Sequence, residues 1–291
     1  MSKKIFKKIA CGALAAISVF GCASSFTACK TSHPQVTMQI EFNGETYNLK
    51  YKLYRKVAPK TVEHFLWLAE NGYYDGLCIH DYDAKALKMY AGAYSATADK
   101  ESGLEYKEYY KTIATYENYA SFPHSVWEDS KQEKPLYTLY GEFYEGNSFE
   151  VENGKLQQSF GSLTMYYEDI STYSTASNSV WIQKNSDDAM AEKEYKYNSA
   201  TSKFFISLST GKTPSNVYCT FATLKNDSVL EDFQDDLNAY IEEYYADESF
   251  VTERSIAVNS DDKVVGHFDI EKKFEIPKEP IVINYVKVTK Y

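Results

Sequence analysis

Residues able to do acid–base, nucleophilic or metal chemistry are few in this 291-residue chain, and they are scattered. There are five histidines, five cysteines and two arginines, Arg55 and Arg254. The stretch Gly76-Leu-Cys-Ile-His-Asp-Tyr-Asp83 carries one histidine, His80, directly followed by an acid, Asp81. Its plainest reading is a half-buried strand histidine making one hydrogen bond. Zinc has no supporting cluster, because the histidines stand apart and no Cys-x-x-Cys occurs. The acidic pairs Asp187-Asp188, Asp235-Asp236 and Asp261-Asp262 lack the alternating acids and the glycine of a calcium loop, so they read as solvated charge. Neither a metal nor a cofactor is expected. Cys78 and Cys219 read as two inert buried thiols, or as a bridge if their strands are neighbours.

Composition narrows the partners. The formal net charge is -10, which disfavours nucleic acid and an anionic lipid surface. Tyrosine is abundant, with 27 in the chain. Together with many Thr, Val and Phe it favours strands, with rings buried and hydroxyls wet.

The elements that must position His80 follow from local pattern. Val36 to Phe42 and Tyr47 to Tyr54 alternate with period two around an Asn43-Gly44 turn, which predicts a hairpin. Pro59 suits the first turn of a helix and Gly72 the position after its end; Val62, Phe65, Leu66 and Ala69 give that helix one buried face. Tyr73-Tyr-Asp-Gly76 is a turn leading into the His80 segment. Tyr137–Phe143, Phe160–Tyr167, Ser202–Leu208 and Val217–Leu224 read as strands. Asp227 or Ser228 caps a second helix with a Leu230, Phe233, Leu237 stripe. Pro280–Val288 is a closing alternating strand. Residues 95–136, 168–197 and 246–279 are polar or weakly periodic and read as insertions, the last as loop plus an edge hairpin. This order is not alternating βαβ. It predicts a mainly β protein, an antiparallel sheet closed on itself with two packed helices.

The N-terminus pairs four lysines with a run of apolar and small residues, the pattern of a secretory signal. Phe26-Thr-Ala-Cys29 resembles the lipobox of bacterial lipoproteins, and Val19-Phe-Gly-Cys22 is a second candidate. The polar Lys30-Thr-Ser-His-Pro34 after Cys29 favours the former. The expected organisation is a lipoprotein signal peptide over 1–28, a tether over 29–35 from lipidated Cys29, and one domain over 36–291. Removing four lysines takes the net charge from -10 to about -14. The expected location is the extracytoplasmic face of the membrane in a Gram-positive-type envelope, held by the lipid.

Val57-Ala-Pro-Lys-Thr-Val-Glu-His-Phe-Leu66, Gly72-Tyr-Tyr-Asp-Gly76 and Ile79-His80 resemble the cyclophilin family of peptidyl-prolyl isomerases. So do Tyr140-Gly-Glu-Phe143, Gly161-Ser-Leu-Thr-Met165, Asn198 to Ile206 and Pro280-Ile-Val-Ile283, in family order across residues 36–290. The resemblance implies a closed eight-stranded antiparallel barrel with two helices. It also implies a catalytic arginine directly after the motif histidine, donating to the prolyl nitrogen as the amide twists. Here that position is Asp81, which cannot donate when ionised. Lys85 or Lys88 is a weaker substitute. The family's substrate-binding positions correspond to Leu87, Tyr90, Tyr166, Tyr167, Phe205 and Tyr218; of these Phe205 matches the family's pocket phenylalanine, and Tyr90 replaces its glutamine.

Three functions follow. The first is a cyclophilin-like module that binds proline-containing or extended segments of exported proteins, with weak or absent isomerase activity. The second is an active extracytoplasmic isomerase and folding helper. The third is a non-catalytic surface scaffold using its insertions.

Overall fold

The computed structural model describes residues 31–142, 156–167, 179–184, 189–194, 199–211, 218–259 and 269–291. The expected signal peptide, Cys22 and Cys29 lie outside the described residues. The chain begins with β1 (Gln35–Phe42) and β2 (Glu45–Leu53), joined at Asn43-Gly44. Both turn residues have positive φ, 49° and 85°, which the Asn-Gly pair tolerates and which matches the twist of the flanking strands. Val36, Met38, Ile40 and Phe42 of β1, and Tyr47, Leu49, Tyr51 and Leu53 of β2, are all buried. Strict period two sends these side chains to one face.

Helix α1 (Pro59–Glu70) follows, with Pro59 at its start as the sequence predicts. Its opening residues lack a local side-chain cap. Glu142 supplies one from more than 80 residues away: its carboxylate accepts the Lys60 N–H at 3.1 Å and the Thr61 N–H at 2.8 Å. A buried anion there satisfies two orphan donors and the helix dipole together. Phe65 packs against Tyr74, Phe204 and Phe221, tying α1 to the sheet's inner face.

The chain then runs through β3 (Leu77–Cys78), β4 (Asp81–Asp83), β5 (Lys88–Ala91), β6 (Tyr94–Ala96) and β7 (Leu104–Tyr106). Helix α2 (Tyr109–Ile113), β8 (Val126–Trp127), β9 (Pro135–Leu136) and β10 (Leu139–Tyr140) follow. Of the strand expected over 137–143, only Leu139–Tyr140 forms among the described residues. Next come β11 (Leu163–Tyr167), β12 (Ser179–Gln183), β13 (Met190–Glu194), β14 (Ser199–Ser207) and β15 (Cys219–Leu224). Helix α3 (Asp227–Tyr244), β16 (Val251–Asn259), β17 (Asp269–Pro277) and β18 (Val282–Lys290) complete the chain. Neither residue expected to cap α3 does so: Asn226 holds the cap position, Asp227 opens the helix, and no side-chain cap bond forms. The Asn226 side chain instead accepts the Lys50 N–H and donates to the Asn48 carbonyl, fastening the helix start to β2.

The main sheet has the order β3-β18-β1-β2-β15-β11-β14-β5-β4, with β10 beside β14, and every pairing is antiparallel. Its two ends are successive parts of one segment. The Ile79 N–H donates to Ile281 beside β18, and the next amide, His80 N–H, donates to Tyr90 on β5. Cys78 and Cys219 are both buried and both free thiols. Burial pushes the Cys78 thiol up to about 12.

Two of the sequence insertions meet. β8 and β9 come from residues 95–136, and β12 and β13 from 168–197; together they form a four-stranded sheet ordered β13-β12-β8-β9. It has its own small core of Val126, Leu136, Tyr140, Val180 and Ile182. β16 and β17 pair only with each other among the described residues. Among the described residues, no helix is long and apolar enough to cross a membrane.

Candidate peptide-binding face

Strands β4, β5, β14 and β11 set a row of residues side by side: Asp81 opposite Tyr90, Tyr90 opposite Phe205, and Phe205 opposite Thr164. Phe204 and Phe205 split between the two faces of the sheet, as period two requires. Phe204 meets Phe65 and Tyr74 in the core. Phe205 turns the other way, toward Tyr90 at 5.5 Å and Tyr218 at 5.6 Å between ring centroids. Tyr90 also meets Tyr166 at 5.5 Å. Tyr167 belongs to β11, opposite Ala200.

Phe205 is nonetheless 0% exposed. Its ring lies under the Lys88 ammonium, 4.6 Å from the centroid, and the same ammonium is 5.1 Å from the Tyr218 centroid. A cation over two ring faces is favourable, and more so where water is thin. Burial lowers the Lys88 pKa, with Asp83 pulling it back. Phe205 is therefore covered by its neighbours, while Tyr90, Tyr166 and Tyr218 remain partly exposed. Leu87 is not part of it: it sits on the β4–β5 turn with φ 54° and 44% of its surface exposed.

His80 is buried between two rings, Tyr94 at 4.8 Å and Phe274 at 5.2 Å. Burial, helped by the Lys203 charge, pushes its pKa down to about 3 against a weaker pull from the Cys78 backbone. It is a neutral packing residue at neutral pH. Asp81 accepts the backbone N–H of Glu275 at 2.8 Å. Burial raises its pKa to about 6; the Asp83 and Glu275 carboxylates add to this, while the Glu275 N–H and Lys272 oppose it. Arg55 is engaged elsewhere, donating to the Thr31 carbonyl at 2.7 Å beside Glu63. Arg254 is an exposed residue of β16.

The hairpin expected within 246–279 forms as β16–β17, but it pairs with no sheet edge among the described residues, and sequence reasoning missed what β17 packs against. Lys272 donates to the Tyr166 hydroxyl and sits over its ring at 4.8 Å. Phe274 meets His80 and Tyr94, and Ile276 is buried in the same cluster. The signal was present as the alternation Ile270, Lys272, Phe274, Ile276, but nothing local says which face such a strand covers. Among the described residues, no three His, Cys, Asp or Glu gather to hold a metal.

The fold is mainly β with few helices, and it carries this aromatic row beside a buried histidine. A family model described as cyclophilin type peptidyl-prolyl cis-trans isomerase/CLD matches residues 37–235, and the chain belongs to that family. A Staphylococcus haemolyticus protein named as a candidate peptidyl-prolyl cis-trans isomerase is 39% identical over 57 residues, 17% of this chain and 29% of that protein. A Staphylococcus aureus protein of the same name is 52% identical over 33 residues, 11% of this chain and 17% of that one. The chain thus spans less than a third of the length of either relative. A Cryptosporidium parvum cyclophilin type isomerase structure is 14% identical, covering 89% of this chain and 99% of that one, with TM-score 0.42. The Mimivirus cyclophilin is 15% identical, covering 90% and 91%, also with TM-score 0.42.

Proposed function

We propose that this chain is a membrane-anchored cyclophilin-family lipoprotein that binds proline-containing or extended segments of exported proteins, with weak or absent isomerase activity. The observation that carries this reading is the state of Asp81. Rotation about an X–Pro bond faces a barrier of about 18–20 kcal/mol, set by amide resonance. The family's motif lowers it with a donor cation at this position. Here stands a carboxylate whose Oδ1 already accepts the Glu275 N–H. An ionised carboxylate has no proton to give to a prolyl nitrogen, and its charge opposes one that needs a cation. Fold-level descent does not restore the missing donor.

The finer fold reading goes with this proposal. Taken as one strand, Leu77–Asp83 joins β18 to β5, and the path then has eight members meeting end to end. This supports a closed eight-stranded barrel. Anchoring through Cys29 rests on the sequence alone. Metabolic labelling with a fatty acid tests it: Cys29→Ser abolishes the label, whereas loss with Cys22→Ser alone moves the site to Cys22.

Acceleration of X–Pro isomerisation in a short peptide by residues 30–291 decides the main point. No acceleration above the spontaneous rate is expected, and clear acceleration overturns the reading of Asp81. The Asp81→Arg variant, run beside it, asks whether the lost donor is the whole deficit. A second reading has a specific observation behind it. The Lys88 ammonium lies over the Phe205 ring, where a slow isomerase would place a substitute cation. If the wild-type chain does accelerate the reaction, Lys88→Met removes that activity; persistence in Lys88→Met excludes this reading.

A further inference from the structure

The β16–β17 hairpin makes no ladder hydrogen bonds with the main sheet among the described residues. An isolated two-stranded hairpin is marginal in water, so side-chain contacts hold it in place. Those contacts reach Asp81 and Tyr166 of the candidate peptide-binding face and continue onto His80, Tyr94 and the Cys78–Leu104 cluster beside it. Reading along β17, alternate residues Lys272, Phe274 and Ile276 meet, in turn, Tyr166, His80 with Tyr94, and the cluster around Cys78 and Leu104. Between them the Glu275 amide is bound by Asp81. Lys273, on the opposite side of the strand, pairs with Glu253 at 2.8 Å across the hairpin and is solvent-exposed. One extended strand therefore touches both Asp81, at the position of the family's catalytic arginine, and Tyr166, at a position the resemblance assigns to substrate binding.

We infer that β17 is an internal ligand of this face, and that the face takes an extended peptide with a cation, an aromatic and an aliphatic side chain at alternate positions. Lys272, Phe274 and Ile276 fill it in the closed form, and an outside segment of the same pattern binds only by exchanging with them. This inference rests on the peptide-binding reading above. Its physical basis is that the hairpin adds a layer without sharing a ladder. It can leave while the sheet's backbone pairing stays intact, and the groups uncovered are Asp81, Tyr166 and the rings of His80 and Tyr94. Segments with few shared backbone bonds open at lower free energy than the core.

The probe is a labelled peptide of sequence Asp-Ile-Glu-Lys-Lys-Phe-Glu-Ile-Pro, matching Asp269–Pro277, titrated into residues 30–291 by fluorescence anisotropy. A competitor that holds the face more than nine-tenths of the time weakens apparent affinity at least about tenfold. The full-length double variant Lys272→Ala with Phe274→Ser is therefore expected to bind the peptide at least about tenfold tighter than wild type. The same two changes in the peptide should abolish its binding. Amide hydrogen exchange at Glu275 reports docking independently, and the free peptide should speed it in the wild-type chain.

Equal binding to wild type and double variant, with the Glu275 amide exchanging fast in the variant, overturns the inference. If the double variant does not fold, the wild-type titration decides: a Glu275 amide whose exchange is unmoved by peptide overturns it equally. The isomerase assay separates the two proposals. Peptide exchange in a chain that proves an active isomerase leaves the hairpin inference standing and removes the reading of Asp81. Absence of exchange in an inactive chain removes the hairpin inference alone.

Discussion

His80 and Asp81 are adjacent, yet burial acts on them in opposite directions. His80 has its pKa lowered from 6.5 to about 3, and buried His64 is lowered likewise to about 3. Between those values the unfolded chain binds protons that the native state refuses. Stability from these two residues is therefore full above about pH 6.5 and falls as pH drops toward 3. Asp81 has its pKa raised from 3.8 to about 6, so here the native state holds the extra proton. Its contribution is greatest below about pH 4 and is lost as pH rises through 6. The two windows overlap, so a wild-type melting curve mixes them. Asp81→Asn isolates one: the variant should gain thermal stability relative to wild type at pH 7, and that gain should vanish near pH 4. A variant whose Tm offset is the same at both pH values would show that Asp81 ionisation does not bear on stability. Resemblance singled out both residues, but their protonation states depend on Phe274, Glu275 and Lys203, which lie far away in sequence.

At the scale of elements, α1 shows how a helix legible in sequence still needs a distant partner. Pro59, Gly72 and the Val62, Phe65, Leu66, Ala69 stripe mark its limits and its buried face. Its N-terminal donors are met by Glu142, which no local pattern connects to them. Glu142→Ala should cost about 1–3 kcal/mol, the range for a lost cap that uncovers one buried and one part-buried donor, measured by denaturant unfolding. A change below about 0.5 kcal/mol would mean that water replaces the carboxylate. The close pass of β5 and β14 is similar. Gly92 has φ 96°, and a Cβ there would lie 2.3 Å from the Ser202 carbonyl oxygen. Gly92→Ala should destabilise by more than about 1 kcal/mol, since strain and a backbone clash combine.

Among the described residues the molecule is a curled main sheet with three smaller sheets beside it, the four-stranded sheet, the β16–β17 hairpin and the β6–β7 pair. The four-stranded sheet has a core separate from the main one. Ile182→Ala should cost about 2–5 kcal/mol locally, the usual range for a buried large-to-small change. Hydrogen exchange should show β12 and β13 opening while β1, β2 and β15 keep their protection. Uniform loss of protection across both sheets would instead make them one cooperative unit.

What the sequence determined by itself is what near neighbours decide. Period two in Val36–Phe42, the Asn-Gly turn, the helical stripe after Pro59 and the His80 segment are set by side chains within a few residues of each other. The ordered motifs carried the family, and with it the proposal that Asp81 stands where the family has its arginine. Only the tertiary structure decided that Phe205 is sealed under Lys88, that Leu87 stands outside the aromatic row, and that two separate insertions share one sheet. It also decided that β17 lies across Asp81 and Tyr166. These outcomes depend on pairs of residues separated by tens to nearly two hundred positions, and on which face each strand presents. Periodicity reports that a strand has a buried side. It carries no information about what buries it, because that choice is made by the free energy of the whole packed chain.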